Sequence, residues 1–474
     1  MDIQNLSEES TCIYLGKRRT ILTLFFLLFL FSSFSATDKT KNKSVSNNPQ
    51  TNRDSILAEM KTNLDNMFEL WYPKSIDTVY GGFFSDINYK WELEGMQNKM
   101  IVTQARHVWS TSNAALFYDN RNKKNLLLKV AAHGFEFLRK KMWDKEFGGF
   151  YNLVSREGEP LKEDGEIIKR AYGNAFAIYG LATYYKSSGD ASALELAKET
   201  FYWLEKNSYD SLYGGYFQFI SREGVPFTDG YGNDPPKDQN SSIHLLEAFT
   251  ELYSVWHNEK LKERLTSLLH IIRDIATTNK GYLNLFFKKD WTPVSYRDST
   301  AEIRNKNYEF DHVSFGHDIE TAYLMLEASG TLGIKNDITT LYKAKKMVDH
   351  SLENGWDEEY GGLYDGGYYY GEENRASIIR DTKEWWSQAE ALNSLLMMSE
   401  LFPEDELNYY ERFCIQWSYI KRYLIDQING DWYWGGIDKV PSNKYFRKAT
   451  IWKANYHTSR ALINCIARLK NQKK

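Results

Sequence analysis

Four segments place histidine beside other polar groups in otherwise apolar surroundings. They are TQARHVWSTS, with Arg106 and His107; DQNSSIHLLEA, with Asn240, His244 and Glu247; SFGHDIETAYL, with His317, Asp318 and Glu320; and WKANYHTSRAL, with Trp452, His457 and Arg460. A fifth, KEWWSQAEAL, brings Trp385, Trp386, Gln388 and Glu390. Imidazole can both take and give a proton near neutral pH. One buried histidine is most simply structural. His244, His317 and His457, each at the start of an apolar helix with a carboxylate or amide nearby, point instead to acid–base chemistry. His312 lies close enough to His317 to support it. His257, His270 and His350 read as surface or helix-end positions, and His133 precedes Gly134 on an outer helix. Metal binding is not called for. The five-residue step from His312 to His317 does not stack two side chains on one helical face, and no HExxH pattern occurs.

Residues this far apart can meet only if the chain closes on itself. The periodicity is helical: Ala175, Ile178, Leu181 and Ala182 recur at helical spacing, as do Leu245, Leu246, Phe249, Leu252 and Tyr253. Strand alternation is scarce. A double-glycine turn recurs at Gly81-Gly82, Gly148-Gly149, Gly214-Gly215, Gly361-Gly362 and Gly435-Gly436, with a weaker copy at Lys280-Gly281-Tyr282. The steps run from 66 to 80 residues, enough for two helices and their loops. Tight turns of this kind need positive φ, hence glycine. An aspartate often precedes, as at Asp144, Asp210 and Asp357. Six helix pairs predict an all-α toroid, an (α/α)6 barrel of residues 55–472 whose inner helices start at one funnel. No break in composition marks a second domain.

Composition fits this reading. Of 474 residues, 42% are hydrophobic, enough for a large core, and a net charge of −4 directs the chain neither to nucleic acid nor to a membrane surface. Aromatic residues reach 15%, and their flat faces suit sugar rings as well as helical cores. With only Cys12, Cys414 and Cys465, no disulfide framework or zinc spacing exists. At the N-terminus, Lys17, Arg18 and Arg19 precede an apolar run from Ile21 to Phe31 and small residues to Ala36. Residues 1–36 read as a signal peptide, with an uncleaved membrane anchor as the alternative, and 37–54 as a disordered polar linker. The mature protein is expected outside the cytoplasm, periplasmic or extracellular, without stable membrane contact, as a monomer or weak dimer.

From Leu57 to Leu469 the chain resembles the N-acylglucosamine 2-epimerase family, most closely its cellobiose 2-epimerase branch. The resemblance is carried by YGNAFAIYGLATYYKSSGD, SFGHDIETAYLMLEAS, EWWSQAEAL and WKANYHTSR. The family fold is an (α/α)6 barrel, in agreement with the repeat count. The resemblance implies that His317 and His457 are the two catalytic histidines. It places Arg106, Asn240, His244 and Glu320 around the reacting sugar and makes Trp385 and Trp386 aromatics of its subsites. It implies no metal or cofactor. Two departures bear on the choice of sugar but spare the histidine pair. Ser242 stands where members of the branch often have histidine, and Ala454-Asn455 stands where they tend to have Cys-Pro.

The implied activity is inversion at C2 of the reducing-end sugar of a β-1,4-linked disaccharide. Such inversion needs ring opening, removal of the C2 proton, a stabilised enediolate and proton return on the other face. An α-proton is too weakly acidic for an unaided imidazole, so preorganised donors must hold the oxyanion. Arg106 is the expected donor, Glu320 is expected to orient His317, and His244 to assist ring opening or hold a hydroxyl. An N-acylglucosamine 2-epimerase or a mannose isomerase would share the enediolate. A glycoside hydrolase or a non-catalytic sugar-binding protein are the readings from other classes.

Overall fold

The computed structural model describes residues 49–371 and 373–471. The expected signal peptide, 1–36, and the linker up to residue 48 lie outside the described residues. Helical backbone begins at Pro49 rather than at Ser55. Proline fits a first helical turn, where its missing N–H has no partner to lose. The compact unit that carries the site starts at Ser55.

The helices are α1 (Pro49–Lys74), α2 (Ile101–Phe117), α3 (Arg121–Phe137), α4 (Ala171–Ser188), α5 (Ala191–Asn207), α6 (Gln239–Val255), α7 (Glu259–His270), α8 (Ala301–Asn307), α9 (Phe315–Thr331), α10 (Ile338–Gly355), α11 (Trp385–Leu401), α12 (Tyr409–Tyr419) and α13 (Tyr456–Asn471). Helices α2, α4, α6, α9, α11 and α13 pack in succession, and α13 returns to α2. That closed inner ring, with an outer helix against each step, is the expected (α/α)6 barrel. The two rings differ in sequence as their surroundings require. Inner helix α4 buries nearly every residue from Ala171 to Tyr184, so it is apolar all round. Outer helices α3, α5, α7 and α10 are amphipathic, and their N-caps Asn120, Asp190, Asn258 and Asp337 accept backbone N–H bonds of the first turn.

The connections decide where the site lies. Links from inner to outer helices are short: 118–120, 189–190, 256–258, 332–337 and 402–408. Links from outer to inner helices are long and all emerge at the end where inner helices start. Short antiparallel strands staple neighbouring links together: β1 (Lys99–Met100) with β2 (Leu153–Val154), β3 (Ile168–Arg170) with β4 (Phe219–Ser221), and β5 (Lys237–Asp238) with β6 (Phe286–Phe287). The last set joins β7 (Val313–Ser314) to β8 (Gly366–Tyr368) and β8 to β9 (Ser377–Arg380).

The recurring turn has a chemical skeleton that glycine spacing alone does not reveal. Asp77, Asp144, Asp210, Asp357 and Asp426 each accept, through Oδ1, the backbone N–H groups two and three residues ahead. Each Oδ2 pairs with a buried lysine further along the same link, just before or near the next inner helix: Lys99, Lys169, Lys237, Lys383 and Lys448. Gly149, at φ +73°, shows why the turn needs glycine, because a Cβ there would lie 2.6 Å from the Trp203 ring. Two of the copies read from sequence depart from this pattern. At Gly281, φ is +100°, and Thr278 replaces the aspartate. The Gly435-Gly436 copy is not part of the repeat. The sixth turn runs from Asp426 to Asp431, with Gly430 at φ +77° and Asp431 at φ +58°, while neither Gly435 nor Gly436 has positive φ. Gly435 instead pairs with Glu384 at the start of α11.

Breaking one of these pairs leaves a buried aspartate without its cation. Lys448→Met should therefore lower stability by about 3–5 kcal/mol, read as a lower denaturation midpoint in urea. A shift of less than about 1 kcal/mol would show the pair to be dispensable. Cys465 is a buried free thiol. No helix among the described residues is long and apolar enough to cross a membrane.

Candidate active site

The N-terminal halves of all six inner helices deliver the polar residues to one place. Strands β5 and β7 lead straight into α6 and α9, which fixes the first turn of each and hence the direction of His244 and His317. His317 and His457 both contact the Trp386 indole, with ring centroids 4.7 and 5.8 Å away. His244 packs on Tyr172 and Phe176 at 5.3 and 4.7 Å, and Phe176 packs on Tyr456, the neighbour of His457. Three imidazoles separated by up to 213 residues in sequence thus share one aromatic cluster.

Each of the three rings is held by Nδ1. His244 Nδ1 lies 2.9 Å from Glu247 Oε2 and His457 Nδ1 2.7 Å from Glu390 Oε1. A carboxylate offers only lone pairs, so each ring turns its Nδ1 proton to it and leaves Nε2 facing the site, a lone pair in the neutral imidazole and an N–H in the imidazolium. His317 Nδ1 lies 2.7 Å from the Ser314 hydroxyl. In all three, Nε2 has no protein hydrogen bond among the described residues. Burial, then the nearby His244, His312, His457 and Arg106, holds the His317 imidazole down at about 3. Burial pushes His457 down and Glu390 up, so the two compete for one proton across their contact.

Beneath the rings lies a buried charge network centred on Arg460 of α13. Its guanidinium pairs with Glu247 of α6, Glu320 of α9 and Glu390 of α11, the last at 2.6 Å. Tyr456 donates to Glu247 at 2.5 Å. Burial would raise Glu247, but Arg460, His244 and Tyr456 hold it down at about 2. Glu320, Glu390 and His457 present ligand atoms within 4.8 Å of one another, as a cation site would. The Arg460 guanidinium, bonded to both carboxylates, already supplies the positive charge there. With Arg106, the site holds two guanidiniums against three carboxyls, which leaves room for one proton on the imidazoles.

Arg106 lies in the same cluster. It donates to the Trp452 carbonyl and the Tyr172 hydroxyl, both at 3.1 Å, and its guanidinium stands 4.4 Å over Phe176. Asn240 sits beside the Tyr172 hydroxyl, and its Oδ1 is buried without a protein partner. Several expectations need correction. Glu320 does not orient His317. It lies one turn deeper, where Arg460 draws it, 3.9 Å from His457 Nδ1, and Ser314 takes the role at His317. Trp385 points away from the imidazoles and packs on Trp434, ring centroids 4.4 Å apart, so Trp386 alone touches them. His350 is buried and bonds the Tyr369 hydroxyl at 2.8 Å. His107, beside Arg106, is structural: it bonds Tyr72 and stacks on Phe83. Asp318 anchors the Leu283 amide. Tyr172 and Ser314 were not anticipated. Tyr172 occupies the start of α4, the same place in the repeat as the histidines, which was the available signal.

The profile of the N-acylglucosamine 2-epimerase (GlcNAc 2-epimerase) family matches residues 82–461. The chain belongs to this family, and is an isomerase. It is 29% identical over 420 residues to the cellobiose 2-epimerase of Bacteroides fragilis, covering 87% of this chain and 99% of that one. It is likewise 29% identical over 419 residues to the cellobiose 2-epimerase of Ruminococcus albus, with 87% and 99% covered. The solved structure of cellobiose 2-epimerase from Spirochaeta thermophila superposes with a TM-score of 0.75 at 28% identity, covering 89% of this chain and 98% of that one.

Proposed function

We propose that this chain is a sugar 2-epimerase that interconverts glucose and mannose at the reducing end of a cellobiose-type, β-1,4-linked disaccharide. The observation that carries the mechanism is the pair of imidazoles on one indole, each anchored at Nδ1 and unbonded at Nε2. The identity of the relatives carries the substrate. The opened sugar presents C2 between His317 and His457. One Nε2 takes the C2 proton, the C–H pair moves into the C1–C2 bond, and O1 becomes an oxyanion. The other imidazole, as imidazolium, returns a proton to the opposite face as the C1 carbonyl re-forms. Arg106 holds the oxyanion with a permanent charge. His244 and Asn240 bind hydroxyls or assist ring opening, and Trp386 stacks on the sugar.

Hydrolysis would need two carboxyl groups opposed across a glycosidic bond. Glu247, Glu320 and Glu390 instead converge on one guanidinium. The test is proton NMR of purified enzyme with cellobiose, mannobiose, N-acetylglucosamine and mannose, each in deuterated water. Cellobiose should give the mannose-ended epimer. Conversion of mannose or N-acetylglucosamine alone would reassign the substrate, and release of monosaccharide from a disaccharide would point to hydrolysis. The basic and apolar leader supports export. The full chain expressed in a Gram-negative host should appear in the periplasm shortened near residue 36; uncut protein in the membrane fraction would support the anchor instead.

A further inference from the structure

The two imidazoles of the proposed pair have different partners. His457 works against the Glu390 carboxylate, 2.7 Å away, with Glu320 at 3.9 Å and Arg460 beyond. His317 has only a hydroxyl, that of Ser314, at 2.7 Å. Around His317 stand His244, His312, His457 and Arg106, while the Glu384 carboxylate accepts from the Trp386 indole N–H at 2.7 Å and Glu320 is taken up by Arg460. Ser314 is the N-cap residue of α9, where a serine side chain ordinarily accepts a backbone N–H of the first turn. Here it makes no such bond. Its backbone is fixed by pairing with Gly366 of β8, and the side chain is buried against the imidazole. A local rule of helix capping is broken at the one place where the hydroxyl can reach a ring nitrogen of the site.

We propose that Ser314 is a positioning residue for His317, and that giving this imidazole a neutral partner keeps the site's shared proton at the Glu390–His457 pair, with His317 as the resting base. This rests on the two-imidazole reading above. A hydroxyl can accept the Nδ1 proton and so free the Nε2 lone pair, but it stabilises an imidazolium less than a carboxylate does. When His317 takes the C2 proton, its new positive charge is balanced by the charge His457 loses as it gives its proton to C2. The net charge of the site is the same before and after. The inequality between the partners fixes which ring starts empty.

The test compares Ser314→Ala, Ser314→Thr and Ser314→Asp, with kcat and KM measured from about pH 3, where the His317 limb falls, to about pH 9. Ser314→Ala should lower kcat on the order of tenfold to a hundredfold with KM little changed. Ser314→Thr, which keeps the hydroxyl, should restore kcat to within about threefold. Ser314→Asp should raise the proton affinity of His317, so the acidic limb of kcat/KM moves up by about one pH unit or more. A Ser314→Ala enzyme with wild-type kcat would overturn the proposal, as would a Ser314→Asp profile that superposes on the wild type. If Ser314→Asp does not fold, the Ala and Thr pair decides. His317→Ala separates the two failures. If it still epimerises, the two-imidazole reading itself is wrong. If it is inactive while Ser314→Ala is unimpaired, only the role of Ser314 falls.

Discussion

Replacing either His317 or His457 by alanine should lower the rate of epimerisation by at least about a thousandfold, the range expected for losing a general acid or base, while leaving the fold intact. Each ring supplies the only Nε2 that the two-face scheme assigns to its side of the sugar. Neither ring is part of the core in the sense that His107 is. His107 is enclosed by Tyr72, Phe83 and Trp71, whereas His317 and His457 meet at an indole lining the site. The check is initial rate by NMR or chromatography, beside circular dichroism and a melting curve. Near-wild-type turnover in His457→Ala would defeat the scheme. Burial, then the neighbouring imidazoles and Arg106, hold His317 down at about 3, so its lone pair stays available far below neutral pH.

The second large effect concerns stability. Arg460→Met removes the one guanidinium shared by Glu247, Glu320 and Glu390, all buried. Breaking a buried charge network by deleting one partner costs about 3–5 kcal/mol, because the remaining charges stay desolvated. Three carboxyls depend on this partner, so a loss at the upper end is expected, with activity falling as His457 and His244 lose their anchored carboxylates. The loss should depend on pH with a definite sign. Glu247 is held at about 2, below the value of about 4.3 for an unfolded glutamate. Its contribution is therefore complete above about pH 4.3 and fades as pH falls towards 2. The gap between wild type and variant, read as urea midpoints, should narrow on acidification. A gap that widened, or a variant as stable as wild type at pH 7, would contradict the role assigned to Arg460.

Much of the fold was legible because its repeat is written in glycine. Gly82, Gly149, Gly215 and Gly362 all have positive φ, which glycine adopts without steric cost. The same cue misled at Gly435-Gly436, where the pair serves contacts at the start of α11 and the true turn uses Gly430 and Asp431. The lysines that lock each turn were not legible, since nothing in sequence tells a buried lysine from a solvated one. For the site, histidines at helix starts were the visible signal, and His244, His317 and His457 do share one cluster. Their partners were less visible. Glu320 lies three residues after His317, a spacing that suggests contact along a helix. Arg460, from a helix 140 residues away, draws the carboxylate to itself. Ser314 lies three residues before His317 and would have been read as a cap. Trp385 and Trp386 are adjacent, so they point to different sides of α11, and only the fold decides which one meets the imidazoles.

The most direct test follows the C2 hydrogen itself in the two single variants, with each epimer offered separately in deuterated water. With one base missing, inversion should stop, yet the remaining imidazole should still wash deuterium into C2 of the epimer whose proton faces it. His457→Ala should label one epimer without inverting it, and His317→Ala the other. Labelling of the same epimer by both variants, or inversion without any deuterium at C2, would contradict transfer between two imidazoles on opposite faces.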